Sequence, residues 1–120
     1  MAAVKMNVMH WHVVDSQSFP FVAEHVPVLA RDGAWQPDHV YTASDVRGIV
    51  AYANERGIRV IPEFDTPGHV AAGWESLGVL TDCPDAATSG RGTHPLNPTL
   101  NETYVMSKLF RRPAWNWHLP

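Results

Sequence analysis

From Lys5 to Val14 the chain reads KMNVMHWHVV, rich in valine, methionine and aromatic residues and free of glycine and proline. That run predicts a mostly buried β-strand. Residues 15–41 place Pro20, Pro27, Gly33 and Pro37 between the apolar anchors Phe19, Phe21, Val28, Leu29 and Trp35. This predicts a long packed loop, the kind of segment that carries function. A helical period follows. Thr42 and Asp45 stand three apart as in a capping box, and Val46, Ile49, Val50 and Ala53 fall on one face. Gly57 holds the position of a left-handed residue after the helix end.

Ile58 to Phe64 (IRVIPEF) predicts a short second strand, although Pro62 cannot donate to a ladder. Residues 78–98 are rich in Gly, Pro, Ser, Thr and Asp and predict a loop. Asn97-Pro98 predicts the start of a second helix, Asn as N-cap and Pro at the first helical position, running to about Phe110. The last ten residues, RRPAWNWHLP, show no period, and Pro113 stops the helix.

Strands alternating with helices imply βαβ units and a parallel sheet, hence an α/β fold. Two strands and two helices cannot cover both faces of such a sheet, and a complete (β/α)₈ barrel takes roughly 250 residues. The 120 residues therefore read as a piece of a larger domain.

Bulk composition narrows the function classes. Hydrophobic residues at 45% and charged residues at 18% are ordinary for a globular chain. A net charge of −3 with scattered basic residues speaks against nucleic acid and anionic membranes as partners. No apolar run approaches the ~18 residues of a membrane span. The N-terminal MAAVKMNVMHWH lacks a signal-peptide cleavage pattern, which reads as cytosolic for the chain as given. Asn101-Glu102-Thr103 is an N-glycosylation sequon, informative only in the secretory pathway. Cys83 is the single cysteine, so it is either an ordinary thiol or a bridge to a partner outside this sequence.

The polar residues cluster at strand ends. Asp15 follows the first strand; Asp65 and His69 follow the second. In parallel α/β architectures the C-terminal strand edge is where active sites are built. Neighbouring strands would bring Asp15 near His69, and a carboxylate beside an imidazole fixes its tautomer and lets it position a third group. A metal site is the alternative. His10 and His12 alternate onto one strand face, and His69 or Asp65 could supply a third ligand. The plainest reading is two histidines held by hydrogen bonds in a packed strand around Trp11.

Together, KMNVMHWHVVDSQSFPF, YTASDVRGIVAYANERGIRVIPEFDTPGH and LNPTLNETY resemble the catalytic barrel of β-N-acetylhexosaminidases of glycoside hydrolase family 20, eukaryotic type. The resemblance spans residues 5–110 and implies part of a (β/α)₈ barrel, about the second strand to the third helix, with residues 111–120 a divergent tail. It implies that Asp15, His69 and Asp65 form a relay to a catalytic acid, that His10, Trp11 and His12 shape the substrate pocket floor, and that neither metal nor cofactor takes part. It implies hydrolysis of terminal N-acetylhexosamine from glycoconjugates, with the substrate's acetamido group as nucleophile. It further implies a lysosomal or secreted parent, glycosylation at Asn101 and a disulfide from Cys83 to an absent cysteine, and leaves a dimeric parent open.

The Gly-Gly-Asp-Glu stretch that carries the acid in that family is absent here. The expectation is a polypeptide inactive and marginally stable alone. The competing expectation is a non-catalytic product that associates with a full-length subunit. A sugar-binding module is a third option given five tryptophans, three of which lie in the resembling region.

Overall fold

The computed structural model describes residues 1–82 and 94–111, the last three by backbone alone. Its centre is a parallel pair of strands, β1 (Val8–Val14) and β2 (Arg59–Phe64), preceded by one 3₁₀ turn at Ala2–Val4. The register sets His10 opposite Ile61, Trp11 opposite Pro62 and His12 opposite Glu63. A bulge between His12 and Val14 then shifts Val14 opposite Phe64. Bulges re-aim side chains at strand ends. Here Val13 and Val14 are both buried as the chain reaches Asp15.

Pro62 fits without loss. Arg59 N–H donates to Asn7 O. In a parallel ladder alternate residues face the same neighbour, so the donors that face β1 belong to Arg59, Ile61 and Glu63. The missing donor of Pro62 falls on the side away from β1, where a strand tolerates proline. The expected burial of the first strand needs correction. Val8, His10 and His12, which alternate onto one face of the strand, are exposed, and only Val13 and Val14 are buried.

The loop expected over residues 15–41 contains a short helix, α1 (Val28–Gly33), with Leu29 and Ala30 buried. Helix α2 (Ala43–Asn54) begins as expected. Thr42 Oγ1 accepts from Asp45 N–H at 3.3 Å, and Asp45 Oδ2 accepts from Thr42 N–H at 2.8 Å. Val46 and Ala53 are its buried residues, and Gly57 adopts φ +67° after its end.

After β2 the chain turns through a cis Thr66–Pro67 bond into α3 (Ala71–Trp74), a single kinked turn continued by a 3₁₀ turn at Glu75–Leu77. A helix expected from Asn97 starts instead at Asn101, as α4 (Asn101–Arg111). Asn97 Oδ1 accepts from Thr99 N–H at 3.0 Å and Thr99 Oγ1 at 2.7 Å. That local turn satisfies the Asn side chain before a helix forms.

The core joins these pieces. Trp74 and Phe19 meet edge to face at 6.3 Å, and Phe21 and Phe64 at 4.9 Å. Helices α1 and α3 pack through glycines. A Cβ on Gly33 would lie 2.7 Å from Phe19 Cβ and 2.9 Å from Gly73 N. Gly73, at φ +80°, sits against the Leu29 carbonyl with no room for a side chain. Ala72 N–H then donates to Ser16 O at 3.1 Å, tying the segment after β2 to the end of β1.

Candidate active site

Parallel pairing places the C-terminal ends of β1 and β2 side by side, and both carry carboxylates there. Asp15 is held first by its own turn. Its N–H donates to Ser18 O at 3.0 Å, Ser18 N–H returns the bond to Asp15 O at 3.2 Å, and Ser16 N–H donates to Asp15 Oδ1 at 2.6 Å. The same Oδ1 accepts from His69 Nδ1 at 2.9 Å. Partial burial would by itself raise the Asp15 carboxyl. The Ser16 amide, the His69 hydrogen bond and the charges of His69 and His12 outweigh burial and hold it below the ordinary carboxylate value.

An ionised carboxylate only accepts, so Nδ1 of His69 carries the proton in this pair and Nε2 is left to act on another group. His69 adopts φ +52°, in the left-handed region. For a residue other than glycine this costs about 1–2 kcal/mol. The neighbouring anchors hold it there: Val70 and Ala71 are buried, Ala72 is bonded to Ser16 O, and Pro67 O accepts from Leu96 N–H at 2.9 Å.

Asp65 completes the group. Its Oδ2 lies 4.0 Å from His69 Nδ1 and 3.5 Å from His12 Nε2, which is in turn 3.9 Å from Asp15 Oδ2. His12 thus stands between the two carboxylates, a place its sequence position did not suggest. His10 points elsewhere and pairs with Glu63, two residues past its register partner on the same face. Glu63 was not singled out from sequence; its signal is the β2 alternation that puts it, like Asp65, two residues apart beside the histidine face. Trp11 packs edge to face on Tyr41 at 5.0 Å.

Two trios, His12–Glu63–Asp65 and Asp15–Asp65–His69, have donor atoms within 4.8 Å of one another. One imidazole with two carboxylates suits a divalent cation. The trios share Asp65; His12 already pairs with Asp65 and His69 with Asp15, while Glu63 pairs with His10, outside both trios.

Asn101 is exposed on the first turn of α4, while Thr103 is buried beneath it with a long hydrogen bond of 3.5 Å to Val79 O. The sequon threonine therefore has a packing role of its own. Cys83 and the tail beyond Arg111 lie outside the described residues.

The chain is similar to proteins named as hexosaminidases and N-acetylglucosaminidases. The chain is 49% identical over 111 residues to the beta-hexosaminidase subunit beta of Homo sapiens, covering 92% of this chain and 20% of that protein. It is 49% identical over 109 residues to the chitooligosaccharidolytic beta-N-acetylglucosaminidase of Bombyx mori, covering 87% of this chain and 18% of that protein. Among solved structures, an exo beta-N-acetylglucosaminidase of Vibrio harveyi matches with TM-score 0.69 at 30% identity, over 93% of this chain and 22% of that one. A chitobiase of Flavobacterium johnsoniae matches with TM-score 0.70 at 32% identity, over 91% of this chain and 17% of that one. The chain spans about a fifth of the length of these relatives, and its β1–α2–β2 unit is part of a (β/α)₈ barrel. The family model described as "Glycosyl hydrolase family 20, catalytic domain" matches residues 1–111, and the chain belongs to that family.

Proposed function

We propose that this chain supplies the Asp15–His69–Asp65 relay for hydrolysis of terminal non-reducing N-acetyl-D-hexosamine residues from glycoconjugates. The observation that carries this reading is the 2.9 Å contact between His69 Nδ1 and Asp15 Oδ1 at the adjoining strand ends. In the reaction the substrate's acetamido oxygen attacks the anomeric carbon, and a carboxylic acid protonates the departing glycosidic oxygen. Asp15 fixes the His69 tautomer, and Nε2 of His69 orients that acid and tunes its proton affinity. Asp65, steadied by His12, keeps a second negative charge near the imidazole as it gains positive character. No metal or cofactor enters this chemistry. Residues 5–110 act as barrel, with 111–120 a divergent tail, in a lysosomal or secreted parent glycosylated at Asn101.

The acid belongs to a Gly-Gly-Asp-Glu stretch that these 120 residues do not contain. The 120-residue polypeptide is therefore inactive alone and active as part of a whole barrel. The test replaces the matched segment of the Homo sapiens subunit beta by residues 5–110 and assays a fluorogenic N-acetyl-β-D-glucosaminide. We expect activity in the chimera and a 10²–10⁴-fold fall in kcat with Asp15→Asn, the scale of general acid–base catalysis. A folded chimera whose Asp15→Asn variant keeps its rate would sink the relay.

A second reading, association with a full-length subunit, is favoured by the apolar residues left in water around the sheet. Met6 is 59% exposed and Ile61 42%. Co-expression with a tagged full-length subunit tests it: the reading requires co-purification and a change in enzyme activity.

A further inference from the structure

Glu63 stands opposite His12 in the register of the two strands, yet its carboxylate is taken by His10, two residues earlier on the same face. His12 turns the other way. Its Nε2 lies 3.5 Å from Asp65 Oδ2 and 3.9 Å from Asp15 Oδ2. The choice is a close one. A His12 nitrogen, a Glu63 oxygen and an Asp65 oxygen all lie within 4.8 Å of one another, so a rotation about the Glu63 side-chain bonds brings its carboxylate onto His12.

The face on which this happens raises the stakes. Met9 borders one hollow with Ile49 and Ala53 of α2, which makes its side of β1 the helix-covered one. His10 and His12 project from the other side, which in a (β/α)₈ barrel is the packed interior. In the 120-residue chain the His10 side chain is 64% exposed and that of Glu63 39%. Within a whole barrel neighbouring strands enclose this face, and a carboxylate enclosed there is costly unless a donor holds it. His10 is that donor. Without it, the donor within reach of Glu63 is His12, the imidazole that steadies Asp65.

We propose that His10 is a positioning residue for the glycosidase site: by engaging Glu63 it leaves His12 to Asp65 and Asp15, and so keeps both carboxylates of the relay in place beside His69. The proposal rests on the hydrolase reading of this site. It assigns His10 to the support of the relay rather than to the floor of the substrate pocket.

Two measurements test it. In the chimera that carries residues 5–110, His10→Ala should lower kcat about 10–100-fold with KM held within about twofold, as for a misplaced catalytic group. His10→Gln, whose amide still donates to Glu63, should keep most of the rate. So should the double variant His10→Ala/Glu63→Gln, because a neutral amide draws His12 far less than a carboxylate does. A space left by the lost ring would not be cured by Glu63→Gln. Imidazole nitrogen-15 NMR of the 120-residue chain reads His12 without any hydrolysis. Its ring signals should move in His10→Ala and return in His10→Gln and in the double variant.

A rise in KM at constant kcat in His10→Ala would make His10 a substrate contact and overturn the proposal. A fall in kcat that neither His10→Gln nor Glu63→Gln relieves overturns it too, as do His12 signals that stay in place in His10→Ala. An active chimera indifferent to His10→Ala removes the positioning role alone. An inactive chimera, with the full His12 pattern present in the chain, removes the hydrolase and keeps the hold of His10 on Glu63.

Discussion

Replacing Gly73 by alanine probes how the fold brings His69 to Asp15. Gly73 has φ +80°, and a Cβ there would overlap the Leu29 carbonyl oxygen, with Leu29 C and Cα at 3.0 Å. Holding an alanine at such a φ costs about 1–2 kcal/mol. Forcing a methyl group into a filled space adds about 1–3 kcal/mol, because the obstacle is backbone and cannot rotate away. The sum is about 2–5 kcal/mol, a large part of the stability of an ordinary domain.

Two controls separate the contributions. Gly57 has φ +67° but open space around its Cβ, so Gly57→Ala carries only the backbone cost of about 1–2 kcal/mol. Gly48 lies inside α2 with open space and ordinary φ, so Gly48→Ala should stabilise by about 1 kcal/mol. Urea unfolding followed by tryptophan fluorescence, with m unchanged across the series, gives the three values.

The site supplies a second readout. Strain at Gly73 acts on Ala72, whose N–H holds Ser16 O, and Ser16 N–H in turn holds Asp15 Oδ1. Gly73→Ala should therefore move the Asp15 carboxyl upward towards its ordinary value, whereas Gly57→Ala should leave it in place. If Gly73→Ala costs no more than Gly57→Ala, the glycine contact between α1 and α3 is not what positions the site.

Other measurements follow from the same geometry. The Asp15 carboxyl is depressed in the folded chain, so its contribution is complete above the ordinary carboxylate value and is lost as pH falls through the lower folded value. Carbon-13 titration should find Asp15 below that value and moved up in His69→Gln; an unchanged Asp15 would remove the His69 contribution. Thr42→Ala breaks the capping box and should cost about 1 kcal/mol in the same urea experiment, with a cost near zero ruling the cap out. Metal analysis of the purified chain should find no stoichiometric zinc. Zinc at one equivalent, lost in His12→Ala, would instead favour the metal reading of the His12–Glu63–Asp65 trio.

Much of this protein can be read from local order along the chain. The strands announce themselves by short apolar runs and α2 by its period, and the Thr42–Asp45 cap is a contact three residues long that needs nothing beyond the helix itself. The meeting of Asp15 and His69 also follows early, because parallel strands joined by a helix must end on the same edge. Other features depend on distant residues. Helix α1 and the turn at α3 are too short to show a period, and they exist through the contact of Gly33 and Gly73 that brings their backbones together. Asn97 has the chemistry of a helix cap, yet a nearer partner, Thr99, takes its side chain first.

The site divides in the same way. Sequence alone determined which titratable groups stand at the strand ends, since alternation and turn position are properties of one segment. Only the tertiary structure decided their pairing: His10 with Glu63, and His12 between Asp15 and Asp65. Pairing depends on register, on the bulge after His12 and on how loops return to the strand ends. Those are set by packing between residues more than fifty positions apart, such as His10 and Glu63, and no local pattern encodes them.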